Sequence, residues 1–206
     1  VVMLSSAGVT RPAWDEAKAA RLIGASDIPI IRLNPGGILR LKCEAEGLLR
    51  ESGVPYCVVR PTGLKFEGWP QGRPIISQGD VAVGRTNADD LADVLVAMLA
   101  EPAASGKTFE MFTLAGYAAA PSLGPTLARL YADADGVLDE ATVTATYNSL
   151  QQLIPGVQQD ATKLEMGRTY EQVDTGAIAP RERGAAITER ERVLAAGVTG
   201  NTETTN

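Results

Sequence analysis

The chain has 206 residues, of which 45% are hydrophobic, 21% charged and 5% aromatic, a composition typical of a globular protein that buries its own core. It contains no histidine, which excludes Ser-His-Asp hydrolysis, Cys-His catalysis and histidine-ligated zinc, and its two cysteines are too few for a thiolate metal site. The formal charge of −6 disfavours binding to a phosphate backbone, so we expect no nucleic-acid partner.

Two further features of the sequence concern membrane insertion and processing. No apolar run approaches the roughly 20 residues of a membrane-spanning helix. We therefore expect no transmembrane segment. The chain starts with Val1 rather than methionine, which we interpret as a sign of processing, truncation or a fragment.

The first elements alternate between strand and helix. Residues 1–4 form an apolar run that a serine- and glycine-containing turn closes, which predicts a buried strand. Residues 14–23, rich in alanine and lysine, predict a short helix. Residues 56–59 predict a second buried strand, stopped by the Arg-Pro-Thr-Gly sequence that ends at Gly63.

A clearer helix follows the glycine-rich turn at residues 34–37. Apolar residues recur at helical spacing from Ile38, which predicts a buried face that includes Leu41 and Leu48. Glu46 and other charged residues fall largely outside that face.

The next segment predicts two short strands and a capped helix. The strands are expected at residues 74–77 and 81–83, and Asn87 is a good N-cap for a helix whose apolar residues begin at Leu91. A strand at residues 108–114 follows. Unbroken apolar strands between helices predict an α/β fold with a parallel sheet covered on both faces.

Only helical patterns follow residue 117. We expect helices over residues 122–133 and 139–154, and then a polar tail with two capping-box spacings, Thr162 to Glu165 and Thr188 to Glu191. The tail is too polar to order itself, so it is either a frayed terminus or an arm that orders against a partner.

Five stretches carry a family resemblance. They are VVMLSSAG at residues 1–8, LKxxAE at 41–46, SGVPYCVVRPTG at 52–63, ISxxDVA at 76–82 and DDLA at 89–92. Together they resemble the second half of an atypical short-chain dehydrogenase/reductase of the NmrA-like, NAD(P)-binding type. The resemblance implies a partial doubly wound, Rossmann-like sheet over residues 1–117. A helical extension at 118–155 and the tail at 156–206 would follow it.

The resemblance also implies a set of cofactor-binding residues. The strand-end serine of the family corresponds to Ser5 or Ser6, and the lysine that hydrogen-bonds the nicotinamide ribose corresponds to Lys42. The backbone around three further residues would lie near the nicotinamide. These residues are Pro61, Thr62 and Gly63.

Two departures from the family pattern argue against catalysis. The catalytic tyrosine belongs four residues before the lysine, where this chain has Ile38. No glycine-rich phosphate-binding motif occurs anywhere in the sequence. We therefore predict no catalytic residues, no metal, and no cofactor in this chain alone. NAD(P) would bind if the N-terminal half of the fold is present.

The missing half also bears on partners. In the doubly wound fold the first strand lies centrally, so without the preceding strands its edge is open and must be covered. Three possibilities follow: an N-terminal half of the same polypeptide covers the edge, a separate chain supplies strands, or the sequence folds differently and binds a larger assembly. The acidic helical extension and the tail favour embedding in a complex, so other protein subunits are the expected partners.

Residues 89, 90 and 93 are expected to be solvent-facing charges in the first turn of a helix.

The functional prediction is a non-catalytic scaffold, auxiliary subunit or assembly factor of a larger complex. The resemblance to plastid members implies a photosynthetic complex, in the chloroplast stroma or on the stromal face of the thylakoid, with the cytoplasm as the alternative location. The alternative function is an NAD(P)H-dependent oxidoreductase or epimerase-like enzyme whose nucleotide-binding N-terminal half is not included.

Overall fold

The computed structural model describes residues 1–153. Its strands are β1 (Val2–Leu4), β2 (Cys57–Pro61), β3 (Gly63–Lys65), β4 (Gly72–Ser77), β5 (Arg85–Asn87) and β6 (Lys107–Ala115). Its helices are α1 (Glu16–Arg21), α2 (Ile23–Ser26), α3 (Pro29–Leu33), α4 (Ile38–Glu51), α5 (Ala88–Ala100), α6 (Gly124–Leu127) and α7 (Glu140–Leu153). The predicted tail, including both capping boxes, lies outside the described residues.

Four of these strands form one sheet in the order β1–β2–β6–β4. β1 pairs with β2 and β2 with β6 in parallel, so that Leu4 lies beside Val59 and Val59 beside Phe109. β4 pairs with β6 in the antiparallel direction, and β3 pairs with β5 in a separate parallel ribbon. The predicted α/β class is confirmed. Helices connect the parallel strands, as such connections require.

The two faces of the sheet differ in character. On one face, alternate residues of β2 and β6, such as Val59 and Phe109, pack against the buried face of α5. On the other face, Phe112 packs with Leu22 and with Val143 of α7, while Arg60 and Glu110 are buried as charged groups. The polar groups of the second face become important at the candidate site.

The orientation of α4 corrects the sequence prediction. The helix spans the predicted residues, but Leu41 and Leu48 are 47% and 69% exposed, whereas Leu39 and Glu46 are fully buried. The apolar stripe therefore does not face the core. The helix packs over the charged face of the sheet, and it buries the carboxylate that pairs with Arg60 there.

Two other elements differ from the predicted ones. Residues 81–83 form no strand; they are buried coil, and the short strand starts at Arg85. The helix predicted over residues 122–133 is reduced to α6, whose second residue is Pro125. The capping prediction for α5 is confirmed, because the Asn87 side chain accepts hydrogen bonds from the backbone N–H groups of Asp89 and Asp90.

No helix within the described part of the chain is both long enough and apolar enough to cross a membrane.

Replacing Gly72 with alanine is expected to destabilise the protein by about 2–3 kcal/mol, as overpacking does. A Cβ atom at this position would lie 2.2 Å from the backbone oxygen of Leu114, on the paired strand. That oxygen belongs to a sheet hydrogen-bond ladder and cannot move aside without separating β4 from β6.

The matched control is Gly47→Ala in the interior of α4, where a Cβ atom meets nothing within 4 Å. This change is expected to stabilise the helix by up to about 1 kcal/mol. Urea denaturation of both variants measures the difference, and equal midpoints would show that the close approach at Gly72 is not a constraint.

Candidate functional site

The candidate site lies where β1 and β2 end, at the carboxyl edge of the sheet. Pairing continues beyond the strands, because the Ser5 N–H donates to Val59 O at 2.8 Å and the Ala7 N–H to Pro61 O at 3.0 Å. The structure thus brings Ser5, Ser6 and Pro61 together. Ligands of open α/β sheets bind in the crevice at this edge.

The two serines differ in their surroundings. Ser5 is only 3% exposed, and its hydroxyl contributes to lowering the pKa of Glu46, although no hydrogen bond of ordinary length and angle joins the two. The Ser6 hydroxyl is partly exposed and contacts the Ala7 carbonyl at 3.2 Å. Ser5 therefore supplies a buried hydroxyl with unused hydrogen-bonding capacity.

The segment after β2 is occupied by structural contacts. The Thr62 N–H donates to Met111 O at 2.9 Å, and the Thr62 hydroxyl lies 3.1 Å from that of Thr86. Gly63 begins the ribbon with β5, opposite Arg85. The N–H and the hydroxyl of Thr62 thus both make hydrogen bonds within the protein, which stabilise this edge of the sheet.

Lys42 lies on α4 with Ile38 one turn before it and Glu46 one turn after it. Burial lowers the pKa of the Lys42 ammonium, and the nearby charge of Glu46 partly opposes this shift. The aliphatic Ile38 side chain has no proton to donate.

The carboxylate of Glu46 is the centre of a buried ion-pair network. Arg60 holds it with two hydrogen bonds, 3.0 Å to Oε1 and 2.6 Å to Oε2, and Arg50 adds one of 2.9 Å. Burial acts to raise the pKa of Glu46, but Arg60, together with Ser5 and Arg50, outweighs it, and the pKa is lowered. A bidentate pair of this kind fixes orientation as well as charge.

Arg50 extends this network to the segment after α6. Its Nε lies 3.0 Å from Oδ2 of Asp133, which also accepts hydrogen bonds from the hydroxyl groups of Tyr56 and Thr108, at 2.9 and 2.6 Å. These contacts connect α4 and β6 to the segment between α6 and α7.

Two further buried carboxylates, those of Asp80 and Glu110, fix the loop after β1. Asp80 accepts hydrogen bonds from the N–H of Gly8 at 2.6 Å and from the N–H of Thr10 at 2.8 Å. Glu110 in turn accepts from the N–H groups of Asp80 and Val81, at 2.8 and 3.2 Å. Burial, followed by the charge of Asp80, raises the pKa of Glu110 to about 7. Asp80 therefore holds the loop that follows Ser5, and Glu110 in turn holds the backbone at Asp80.

The sequence did not predict that Asp80 and Glu110 are buried, and the prediction for a third acid was wrong. Asp90 was expected to face solvent, but it is 6% exposed and accepts hydrogen bonds from the Gly72 N–H and the Thr113 hydroxyl. Asp89 and Asp93 do fall outside the buried set. For Asp80, the DVA stretch was a signal, although it was taken only as part of the resemblance. Within residues 1–153, no cluster of acids and cysteines is arranged to hold a metal ion.

The first part of the chain is similar to a known protein family. Residues 1–102 match a family described as NAD(P)H-binding. The match covers just under half of the 206 residues. No curated protein matches the sequence.

Two solved structures resemble the chain. One is described as an NAD-dependent epimerase/dehydratase from Bacillus halodurans, with 22% identity, a TM-score of 0.43, and coverage of 63% of this chain and 50% of that one. The other is the oxidoreductase ylbE from Lactococcus lactis, with 18% identity, a TM-score of 0.42, and coverage of 68% and 53%. The chain spans about half the length of either structure.

The segment that matches the NAD(P)H-binding family offers groups for only part of that cofactor. The Ser5 hydroxyl and the Lys42 ammonium are of the donor type that a nicotinamide ribose needs. A pyrophosphate instead needs a glycine-rich turn that opens a helix, and no such motif occurs in the 206 residues. The residues present fit the nicotinamide side of NAD(P) and do not fit its pyrophosphate.

Proposed function

We propose that the chain is a non-catalytic member of the NAD(P)H-binding family that serves as a scaffold or auxiliary subunit of a larger assembly. The observation that carries this proposal is Ile38, one helical turn before Lys42 on α4. Reduction of a carbonyl group needs a proton donor beside the hydride acceptor, and a hydrocarbon side chain there provides none.

The neighbouring charges support the same conclusion. Glu46 is fully engaged by Arg60 and Arg50, and its lowered pKa keeps it ionised at neutral pH, so it has no proton to give. The network stabilises the fold and supplies no proton donor one turn after Lys42.

The alternative is an NAD(P)H-dependent oxidoreductase or epimerase-like enzyme. Two features favour it: the lowered pKa of Lys42 and the buried hydroxyl of Ser5 at the same edge. Under this alternative, another segment would supply the pyrophosphate site and the proton donor.

A titration of the whole chain with NADPH tests the proposal. Trp14 and Trp69 supply the fluorescence signal, and the assay also follows NADPH oxidation with added carbonyl compounds. We expect no saturable binding in the micromolar range, because the pyrophosphate anchor is absent. Steady NADPH oxidation that Lys42→Met abolishes, while Lys65→Met does not, would establish the enzymatic alternative instead.

The plastid location and the photosynthetic complex remain part of the proposal, supported by the sequence resemblance. Imaging of the tagged protein in source cells tests them. A purely cytoplasmic signal would contradict both.

A further inference from the structure

A cluster of five buried charged groups lies on the second face of the sheet. Its carboxylates belong to Glu46, Asp80 and Glu110, and its guanidinium groups belong to Arg11 and Arg60. None of these five residues is more than 7% exposed. When every acid is ionised, the cluster contains one more negative than positive charge. Because an unbalanced buried charge is costly, such a cluster favours the uptake of one proton.

The guanidinium groups of the cluster are already engaged by other partners. Arg60 donates two hydrogen bonds to Glu46, at 3.0 and 2.6 Å. Arg11 donates to three backbone carbonyl groups, at distances of 2.7, 2.8 and 2.7 Å. Arg50 adds a positive charge beside Glu46, but it also pairs with Asp133, so the excess of one negative charge remains.

This excess belongs to Glu110. Its carboxylate accepts hydrogen bonds from the N–H groups of Asp80 and Val81, at 2.8 and 3.2 Å, and its Oε2 lies 3.2 Å from the Ser77 hydroxyl on β4. A proton on Oε2 therefore has the Ser77 oxygen as an acceptor. The protonated form of Glu110 fits these neighbours without leaving a buried charge unbalanced.

The charges that face Glu110 come from three elements. Asp80, on the loop after β4, repels the ionised carboxylate, whereas Arg60 on β2 and Arg11 on the loop after β1 attract it. Glu46, on α4, is directed at Arg60 instead. Burial, followed by the charge of Asp80, raises the pKa of Glu110 to about 7, since the two arginines compensate only in part. Glu110 therefore loses its proton close to neutral pH.

Asp80 connects this ionisation to the loop after β1. Its backbone lies in the left-handed region, with φ of 57°, which residues other than glycine rarely adopt. Its carboxylate accepts hydrogen bonds from the N–H groups of Gly8 and Thr10, at 2.6 and 2.8 Å, and from the Thr10 hydroxyl at 2.7 Å. The carboxylate that a charge on Glu110 repels is thus the one that holds the loop.

We propose that the segment from Gly8 to Thr10 opens locally when Glu110 loses its proton and closes when the proton returns. Opening admits water to the ionised carboxylate, while the pairing of β2 with β6 stays intact. The segment closely follows Ser5 and Ser6, so the opening changes the shape of the carboxyl edge of the sheet. This device goes beyond the proposed function, because it acts on the edge whether or not the chain is an enzyme.

Amide hydrogen exchange of the whole chain, resolved by residue with NMR, tests the proposal. The protection factors of the Gly8 and Thr10 amides are expected to fall by about 50- to 100-fold between about pH 5 and pH 8, because Glu110 in the open segment regains the ordinary acidity of a glutamic acid. At low urea concentrations they should not change, as is typical of local opening. Protection factors that are constant over this pH range, or equal to those of the β2–β6 ladder, would overturn the proposal.

Three variants assign the opening to its cause. Glu110→Gln cannot ionise and is expected to remove the pH dependence, whereas Glu44→Gln, at an exposed position, should retain it. Thr10→Val removes one hydrogen bond to Asp80 and leaves Glu110 in place. The Gly8 amide of this variant is expected to be less protected at every pH, with the same pH dependence. A dependence that persists in Glu110→Gln, or that disappears in Thr10→Val, would also overturn the proposal.

Discussion

Replacement of Glu46 with alanine is expected to lower the free energy of unfolding by about 3–5 kcal/mol. The change removes the carboxylate that holds Arg60 at 3.0 and 2.6 Å, and Arg60 itself is only 7% exposed. A guanidinium left in this environment loses its partner and cannot recover its hydration, which is more costly than the loss of an exposed ion pair. Urea denaturation of the whole chain measures the change.

Glu44→Ala is the control on the same helix. Glu44 pairs with Arg40 four residues earlier, and both side chains are more than half exposed. Its loss is expected to cost no more than about 0.5 kcal/mol. A comparable loss in both variants would show that burial does not determine the strength of the Glu46 pair.

A double variant distinguishes the effect of the unpaired Arg60 charge on stability from the effect of altered helix packing. In Glu46→Leu with Arg60→Met, both charges of the pair are replaced with apolar groups, so neither member is left buried without the other. We expect it to recover most of the stability that Glu46→Ala loses. A double variant no more stable than Glu46→Ala would contradict the assignment of the loss to unpaired Arg60.

The elements with local signals were predicted well from the sequence. α5 has an N-cap at Asn87 and a regular apolar stripe, and β2 is an apolar run bounded by turn residues. Such signals act within a few residues of the chain. The short strand at Arg85 was missed because it pairs with β3, more than twenty residues away, and its sequence is polar.

The orientation of α4 was predicted wrongly for a different reason. Hydrophobic periodicity assumes that the buried face is the apolar one. Arg60 on β2 attracts Glu46 inward, and this leaves Leu41 and Leu48 exposed. The pairing depends on the tertiary structure, so no local pattern contains it.

The candidate site was only partly accessible from the sequence. The resemblance placed Ser5, Ser6 and Pro61 at one edge, and the backbone contacts between β1 and β2 bring these residues together. Their use by a cofactor stays a prediction, as does that of Lys42, Thr62 and Gly63. The buried acids behind this edge were missed, because an isolated Asp or Glu in a sequence reads as a surface residue.

The stability of the protein is expected to fall as the pH rises from about 5 to about 8, by an amount on the order of 3 kcal/mol. The cause is Glu110, whose pKa is about 7 in the folded protein against an ordinary value of 4.5. At pH values between 4.5 and about 7, the folded state therefore binds more protons than the unfolded state. The contribution is therefore complete below the ordinary pKa, and it is lost as the pH rises through 7.

The charged groups around Glu110 determine what its ionisation does. Asp80 repels the ionised carboxylate, whereas Arg60 and Arg11 attract it, and burial disfavours the charge further. Asp80 also holds the N–H groups of Gly8 and Thr10. Ionisation of Glu110 is thus expected to weaken the attachment of the loop after β1 before it affects the rest of the sheet.

Glu110→Gln tests this assignment, since the amide keeps the shape of the side chain without titrating. Its free energy of unfolding, measured in urea at intervals across this pH range, is expected to be nearly independent of pH, whatever its absolute value. Glu44→Gln, at an exposed position, should keep the slope of the unmodified protein. The lowered pKa values of Glu46 and Asp133 act in the opposite direction, because their stabilising contribution is lost as the pH falls towards strongly acidic values. A slope that persists in Glu110→Gln would therefore assign the pH dependence to a group other than the buried acid on β6.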